Sequence, residues 1–262
     1  MLSFLKRLIP LSKSDKIHLL LKLGKVDFIE MGASDGRYFR QLLLIFGHLK
    51  TPVKIGIGVD NDPVKVLAAQ KKGFRCILGD ITNLELGKKK VRFCSMSHVL
   101  EHLPNLESAE LAIKSAIEIS KDFIFIQGPF FDEDKYLESK KLRFFWSNWV
   151  GHPLHLSSDM LIGIFDKLGV NDYRIYVRIP IKDSSDPSIH SLKSRRNQFD
   201  FDPKVHPPKA QVTFTRPLWR EIVAFARLSD NVSWEELEKV HDGMVLLASK
   251  DQGKILSLKT SK

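Results

Sequence analysis

The feature that most restricts what this chain can fold into is an alternation. Through its first two thirds, short apolar runs at 26–31, 54–59, 74–78, 91–97 and 123–127 alternate with stretches of helical spacing. Near-continuous apolar runs of that length fit parallel strands covered by helices on both faces. Phe39, Leu42, Leu43 and Phe46 recur at helical spacing, and Gly47 follows as a stop. Asp62 is placed to cap a helix that opens at Pro63 and ends at Gly73. Leu111, Ala112, Ala116 and Ile119 mark a third helix. Ser157 or Ser158 caps a fourth, with Leu161, Ile164, Phe165 and Leu168 on its apolar face and Gly169 at its end.

The pattern then changes. Residues 173–181 read as a sixth strand. Residues 182–211 are rich in Ser, Pro, Lys and Arg without a period, which predicts a long loop or a mobile lid. A helix is expected over 217–228, a capping box at Ser233 and Glu236, and a last strand over 244–249. The expected division is an N-terminal helical segment (1–21), a sheet core (22–181), a loop and helix insert or cap (182–242), and the last strand with its tail (243–262).

The stretch VDFIEMGASDGRYFR, residues 26–40, runs from a strand through Glu30, Gly32, Ala33 and Gly36 into a helix. Glycine lets the backbone approach a ligand and adopt positive φ in a tight turn. The first N–H groups of the helix then face that ligand. Asp60, followed by Asn61, ends the second strand, and a carboxylate there can accept from two hydroxyls. Asp80 ends the third strand with Ile81 beside it, suited to an amino group and a flat ring. The fourth strand ends in SHVLEHLP, residues 97–104. Carboxylates at the carboxyl ends of successive strands face the crevice where open α/β sheets bind ligands.

Together Glu30-x-Gly32-x-x-x-Gly36, Asp60, Asp80 and SHVLEHLP resemble class I S-adenosylmethionine (SAM)-dependent methyltransferases of the type 11 kind, relatives of ubiquinone-pathway O-methyltransferases. The likeness spans about residues 22–170. It implies a Rossmann-like α/β fold whose seven-stranded, mostly parallel sheet has the order 3-2-1-4-5-7-6, with a lid or cap inserted before the last, antiparallel strand. It also implies SAM as cofactor, with Glu30, Gly32, Ala33 and Gly36 in its loop. Asp60 and Asn61 would meet the ribose, Asp80 and Ile81 the adenine, and Ser97 the methionine moiety. Two positions depart from the pattern: Ser34 replaces a middle glycine, and Arg92 stands where an Asp often opens the fourth strand. The interval from Gly36 to Asp60 is also long, which is assigned to the loop over 47–52.

His98, Glu101 and His102 form H-x-x-E-H, which on a helix is the inverzincin pattern of two zinc ligands and a base. Its place directly after a strand argues against a metallopeptidase. Some ubiquinone-pathway relatives hold a divalent metal here; His98 stands where they have Glu, and no metal is assigned. A hydroxyl acceptor needs a base. His98 is the first candidate, and His152 and His155 of WVGHPLHLSS are the next. Phe144, Phe145, Trp146 and Trp149 are core packing by default and an acceptor pocket on the sharper reading. Lys193, Arg195 and Arg196 in the long loop are either solvated or clamp an anionic acceptor.

The 262 residues suit one large α/β domain, and 43% hydrophobic content supplies a core. The net charge of +10 favours anionic partners. The lysines are scattered, so solubility is the plainer account. The expected partner is a small-molecule methyl acceptor, saccharide, lipid or otherwise anionic, taking the methyl on O or N. RNA or DNA is the alternative, but the chain has neither an N/D-P-P-Y/F motif nor a Pro-Cys nucleophile. A non-catalytic SAM-binding protein is a further alternative. Gly32-Ala33-Ser34 does not supply the G-x-G-x-x-G of dinucleotide dehydrogenases. Cys76 and Cys94 read as buried free thiols, which fits a cytoplasmic protein. No apolar run reaches the ~18 residues of a membrane span. The N-terminal MLSFLKRLIPLSK, ended by Pro10, reads as a helix packed on the fold or, less favoured, lying on an anionic membrane.

Overall fold

The structure, a computed structural model, describes residues 20–22, 24–251 and 254–257. The helix expected before Pro10 lies outside the described residues. The first half alternates as the sequence predicts. Strand β1 (Phe28–Met31) is followed by helix α1 (Phe39–Ile45), β2 (Gly56–Asp60), α2 (Pro63–Lys71), β3 (Cys76–Leu78), β4 (Val91–Ser97), α3 (Leu106–Ile119) and β5 (Ser120–Pro129). Asp62 accepts from the amides of Val64 and Lys65, with Pro63 at the first helical position. A side-chain cap of this kind is worth about 1 kcal/mol.

The second half contains α4 (Asp134–Ser139), β6 (Leu142–Phe144), α5 (Ser158–Lys167), β7 (Tyr173–Asp183), β8 (Ile189–Ser191), β9 (Thr213–Arg227), α6 (Trp234–Glu238), β10 (Val245–Asp251) and β11 (Lys254–Ser257). The main sheet has the order β11-β10-β7-β9-β5-β4-β1-β2-β3. The expected 3-2-1-4-5-7-6 lies within it, with β7 as its sixth strand and β9 as its seventh, antiparallel to both neighbours. The sheet therefore has nine strands, not seven: β10 and β11 extend it antiparallel beyond β7.

The helix expected over 217–228 is corrected to β9. Ile222, Ala224 and Ala226 pack on one face of the sheet, and Val223 and Phe225 on the other. A strand covered on both faces has no alternation to distinguish it from a buried helix. The last strand expected over 244–249 exists as β10, but it is an addition to the sheet and not its seventh member. The capping box at Ser233 and Glu236 is present on α6.

The two faces of the sheet are chemically distinct. On one, Ile29, Met31, Ile57, Val59, Met96, Ile124 and Ile126 pack with Ala109, Ala112, Ile113 and Ala116 of α3 and Leu161, Ile164 and Phe165 of α5. On the other, Phe28, Phe93 and Phe123 stack across β1, β4 and β5, with ring centroids 5.3 and 4.6 Å apart. Phe39, Leu42 and Phe46, from the α1 stretch, cover them.

A third core lies outside the sheet. β7 and β9 are longer than their neighbours: the ladder of β9 with β5 stops at Glu221, while its ladder with β7 continues to Thr213. The extra length is a two-stranded ribbon that carries a cap. β6 pairs antiparallel with β8, and Phe131, Leu137, Leu142, Phe144, Trp146, Ile181, Ile189, Phe214 and Leu218 cluster beneath. The irregular stretch after β7 is pinned there. Ser184 and Val212 exchange hydrogen bonds, and Lys209 Nζ donates to the carbonyls of Asp186 and Ile189. No helix among the described residues is long and apolar enough to cross a membrane.

Candidate functional site

The carboxyl ends of β1 to β4 build one cavity of about 570 Å3. The chain leaves β1 at Gly32 with φ +77°, and a Cβ there would collide with Val99, so two separate constraints require glycine. Asp60, at the end of β2, accepts from Ser34 N at 2.7 Å through Oδ2 and from Asp62 N at 3.0 Å through Oδ1. One carboxylate thereby fixes both the glycine turn and the start of α2. Asp80 caps a short 3₁₀ turn over Ile81–Asn83, with Oδ1 accepting from Thr82 N at 2.9 Å and from Thr82 Oγ1 at 2.7 Å.

Gly32, Asp60, Asn61, Asp80, Ile81 and Ser97 all line this cavity. Glu30, Ala33 and Gly36 stand behind it. Ala33 is where a Cβ on Gly58 would strike, and Gly36 packs on the Phe74 ring. Glu30 is 1% exposed, and Ser95 Oγ donates to its Oε2. Burial pushes its pKa from 4.5 up to about 7, against the opposing pull of Ser95, Ser97 and His98.

Among the candidate bases, His98 lines the cavity. It takes φ +52°, and its amide donates to the Gln127 carbonyl at 2.8 Å. Its ring stacks on Tyr38, centroids 5.4 Å apart. Nδ1 is 3.6 Å from Glu101 Oε1, and Nε2 is 3.9 Å from Glu221 Oε1. Burial opposes a charge on the ring, but Glu101, Glu221 and Glu30 outweigh it, so the pKa stands above the ordinary 6.5.

Solved structures share this fold. A SAM-dependent methyltransferase from Archaeoglobus fulgidus superposes with a TM-score of 0.50 at 15% identity, covering 82% of this chain and 94% of that one. A protein from Bacillus halodurans, solved as a candidate methyltransferase, gives 0.50 at 10% identity, covering 80% and 97%. The fold is that of class I SAM-dependent methyltransferases. No family model matches the sequence, and no curated protein matches it.

Within this methyltransferase fold, His152 and His155 do not join His98. Both line a second cavity, in the cap. His155 stacks on Phe131, centroids 4.5 Å apart, and its Nδ1 lies 2.9 Å from Asp134 Oδ2. His152 donates from Nδ1 to the Trp146 carbonyl at 2.9 Å, and His102 donates from Nδ1 to the Gly151 carbonyl at 2.5 Å. Both bonds leave Nε2 with its lone pair, the tautomer of a metal ligand. Glu101, His102 and His152 offer ligand atoms within 4.8 Å of one another, so a divalent cation would be held by these three and not by His98.

Of the aromatic cluster, Phe144 and Trp146 are buried in the cap core, their rings stacked 4.2 Å apart. Trp149 lines the second cavity. Sequence reasoning missed Tyr38 and Glu221. Tyr38 directly follows the glycine turn, which was the available signal. Glu221 became invisible once its strand was read as a helix. On β9 it faces the rim, accepting from Gln127 Nε2 at 3.1 Å and forming an ion pair with Arg178, whose Nε is 3.2 Å away.

Proposed function

We propose that this protein is a SAM-dependent methyltransferase that methylates an oxygen or nitrogen of a small-molecule acceptor. The observation that carries the reading is the convergence of Asp60, Asp80, Ser97 and His98 from three successive strands on one cavity. Each oxygen of Asp60 accepts one backbone bond and keeps a second lone pair, enough for a pair of ribose hydroxyls. Asp80 uses Oδ1 on Thr82, and Oδ2 has no protein donor among the described residues, which suits an adenine amino group above Ile81. Asn61 would extend the ribose contact, and Gly32 lets the backbone close on the methionine end beside Ser97.

When bound, SAM supplies an electrophilic methyl group. The protein's part is then alignment of the acceptor and management of a proton. His98 takes the acceptor proton on a ring nitrogen. Glu101 and Glu221 stabilise the imidazolium that results, and Tyr38 supports its plane. This base must start neutral, so the rate rises with pH through the raised His98 pKa. Action in the cytoplasm belongs to the same proposal and is supported by two buried free thiols, Cys76 and Cys94.

Calorimetry with SAM and with S-adenosylhomocysteine tests the reading. The folded protein binds both, and Asp60→Ala weakens binding about a hundredfold by removing a charged acceptor and loosening the Ser34 turn. A folded wild-type protein that binds neither ligand sinks the proposal.

A further inference from the structure

The second cavity, of about 310 Å3, is cationic. Arg143, Arg196, His152 and His155 line it, and no carboxylate does. The carboxylate that touches this lining, Asp134, is engaged by Ser147 Oγ at 2.6 Å and His155 Nδ1 at 2.9 Å.

Arg143 is the unusual member. Half-buried Arg92, Arg174, Arg178, Arg220 and Arg227 each pair with a carboxylate. Arg143, equally half-buried, has none among the described residues. Neutral oxygens hold it: Nη1 donates to Asn148 Oδ1 at 2.8 Å and Nη2 to the Leu192 carbonyl at 3.0 Å. Its Nε is buried with no hydrogen-bond partner. A guanidinium fixed in place by neutral oxygens, with no carboxylate to compensate its charge, is the constellation that recognises an oxyanion.

Arg196 is brought alongside by the same asparagine. Asn148 Nδ2 donates to the carbonyls of Ser194 and Arg195 at 3.2 and 3.0 Å, and the amide of Val150 donates to Asn197 Oδ1 at 2.8 Å. The chain around Gly151 is a wall shared by the two cavities: Gly151 and His102 border the first, Val150 and His152 the second. The His102 and His152 rings meet edge-on across it, centroids 4.8 Å apart.

We propose that the second cavity binds a phosphate or carboxylate group of the methyl acceptor, with Arg143 and Arg196 as its anchors. The proposal rests on the methyltransferase reading for the word acceptor, though not for the anion site itself. An acceptor anchored there extends its nucleophile past Gly151 toward His98.

The test titrates inorganic phosphate and, separately, acetate into protein saturated with S-adenosylhomocysteine, by calorimetry at low and high salt. Binding of at least one anion, screened by salt, is expected. Arg196→Glu weakens it at least about tenfold, while Arg195→Glu, a charge-matched change outside the lining, does not. Arg143→Gln does the same as Arg196→Glu if it folds; if it does not, the Arg195 and Arg196 pair decides. The stronger of the two anions identifies the acceptor's group. The proposal is overturned if neither anion binds, or if the two charge reversals act equally. Failure of S-adenosylhomocysteine to bind would instead sink the reading of the first cavity, and the anion titration on the free protein still decides the second.

Discussion

The rim of the sheet and the cap above it are built by different rules. At the rim, Gly32, Asp60, Asp80 and Ser97 each stand at the end of a separate strand, and parallel pairing brings those ends together. In the cap, β6 meets β8 across an intervening helix and strand, and its core draws on segments from Phe131 to Leu218. Function at the rim follows from strand order. The anion site proposed in the cap depends instead on which distant segments fold against each other.

The largest effect that would sharpen this contrast is on catalysis. Replacing His98 with Gln is expected to lower the methyl-transfer rate by about 10²–10⁴ with S-adenosylhomocysteine affinity unchanged. In the wild type the rate climbs as pH passes through the His98 pKa above 6.5, and in the variant that limb is lost. A pH–rate profile unaltered by the substitution would remove His98 as the base.

A change in the cap should break the two regions apart. Phe144 is fully buried there, and Phe144→Ala is expected to cost about 3–5 kcal/mol of stability. If the regions are independent, the urea midpoint falls while S-adenosylhomocysteine affinity stays within about twofold. A parallel loss of affinity would mean that rim and cap form one cooperative unit.

The smallest effect belongs to the floor of the rim. The Glu30 pKa is raised from 4.5 to about 7, so between those values the folded chain holds a proton that the unfolded chain has released. The stability this provides is complete at low pH and fades as pH rises toward 7, by about 3 kcal/mol in all. Glu30→Gln cannot ionise, so its change in stability between pH 5 and pH 8, measured by urea unfolding, should differ from the wild type's by about 2 to 3 kcal/mol. The same pH dependence in wild type and variant would show that Glu30 is not held protonated.

Legibility in the sequence follows the same division. Strand ends, the Asp62–Pro63 cap and the Ser233–Glu236 box are local signals, and each was readable because a few adjacent residues determine it. β9 was not, because its buried stretch from Ile222 to Ala226 is continuously apolar and shows no strand alternation. In the structure Pro217 lies past the end of the β5 ladder, in the break of register with β7 between Leu218 and Thr213, an irregularity that tolerates a missing donor. Misreading β9 concealed Glu221, although every residue around it was in view. The grouping of His98 with His102 failed for a related reason. The turn after β4 is not a continuous α-helix, so residues that would share one helical face part company, His98 toward Tyr38 and His102 toward Gly151.

The turn at His98 has one more consequence. A left-handed backbone costs a side-chain-bearing residue about 1–2 kcal/mol relative to glycine, and asparagine would settle there more comfortably than an imidazole. The fold nonetheless places a histidine in this turn. Its aim is set by the main chain, which cannot swing without giving up the bond to Gln127, so the ring arrives at its neighbours already oriented.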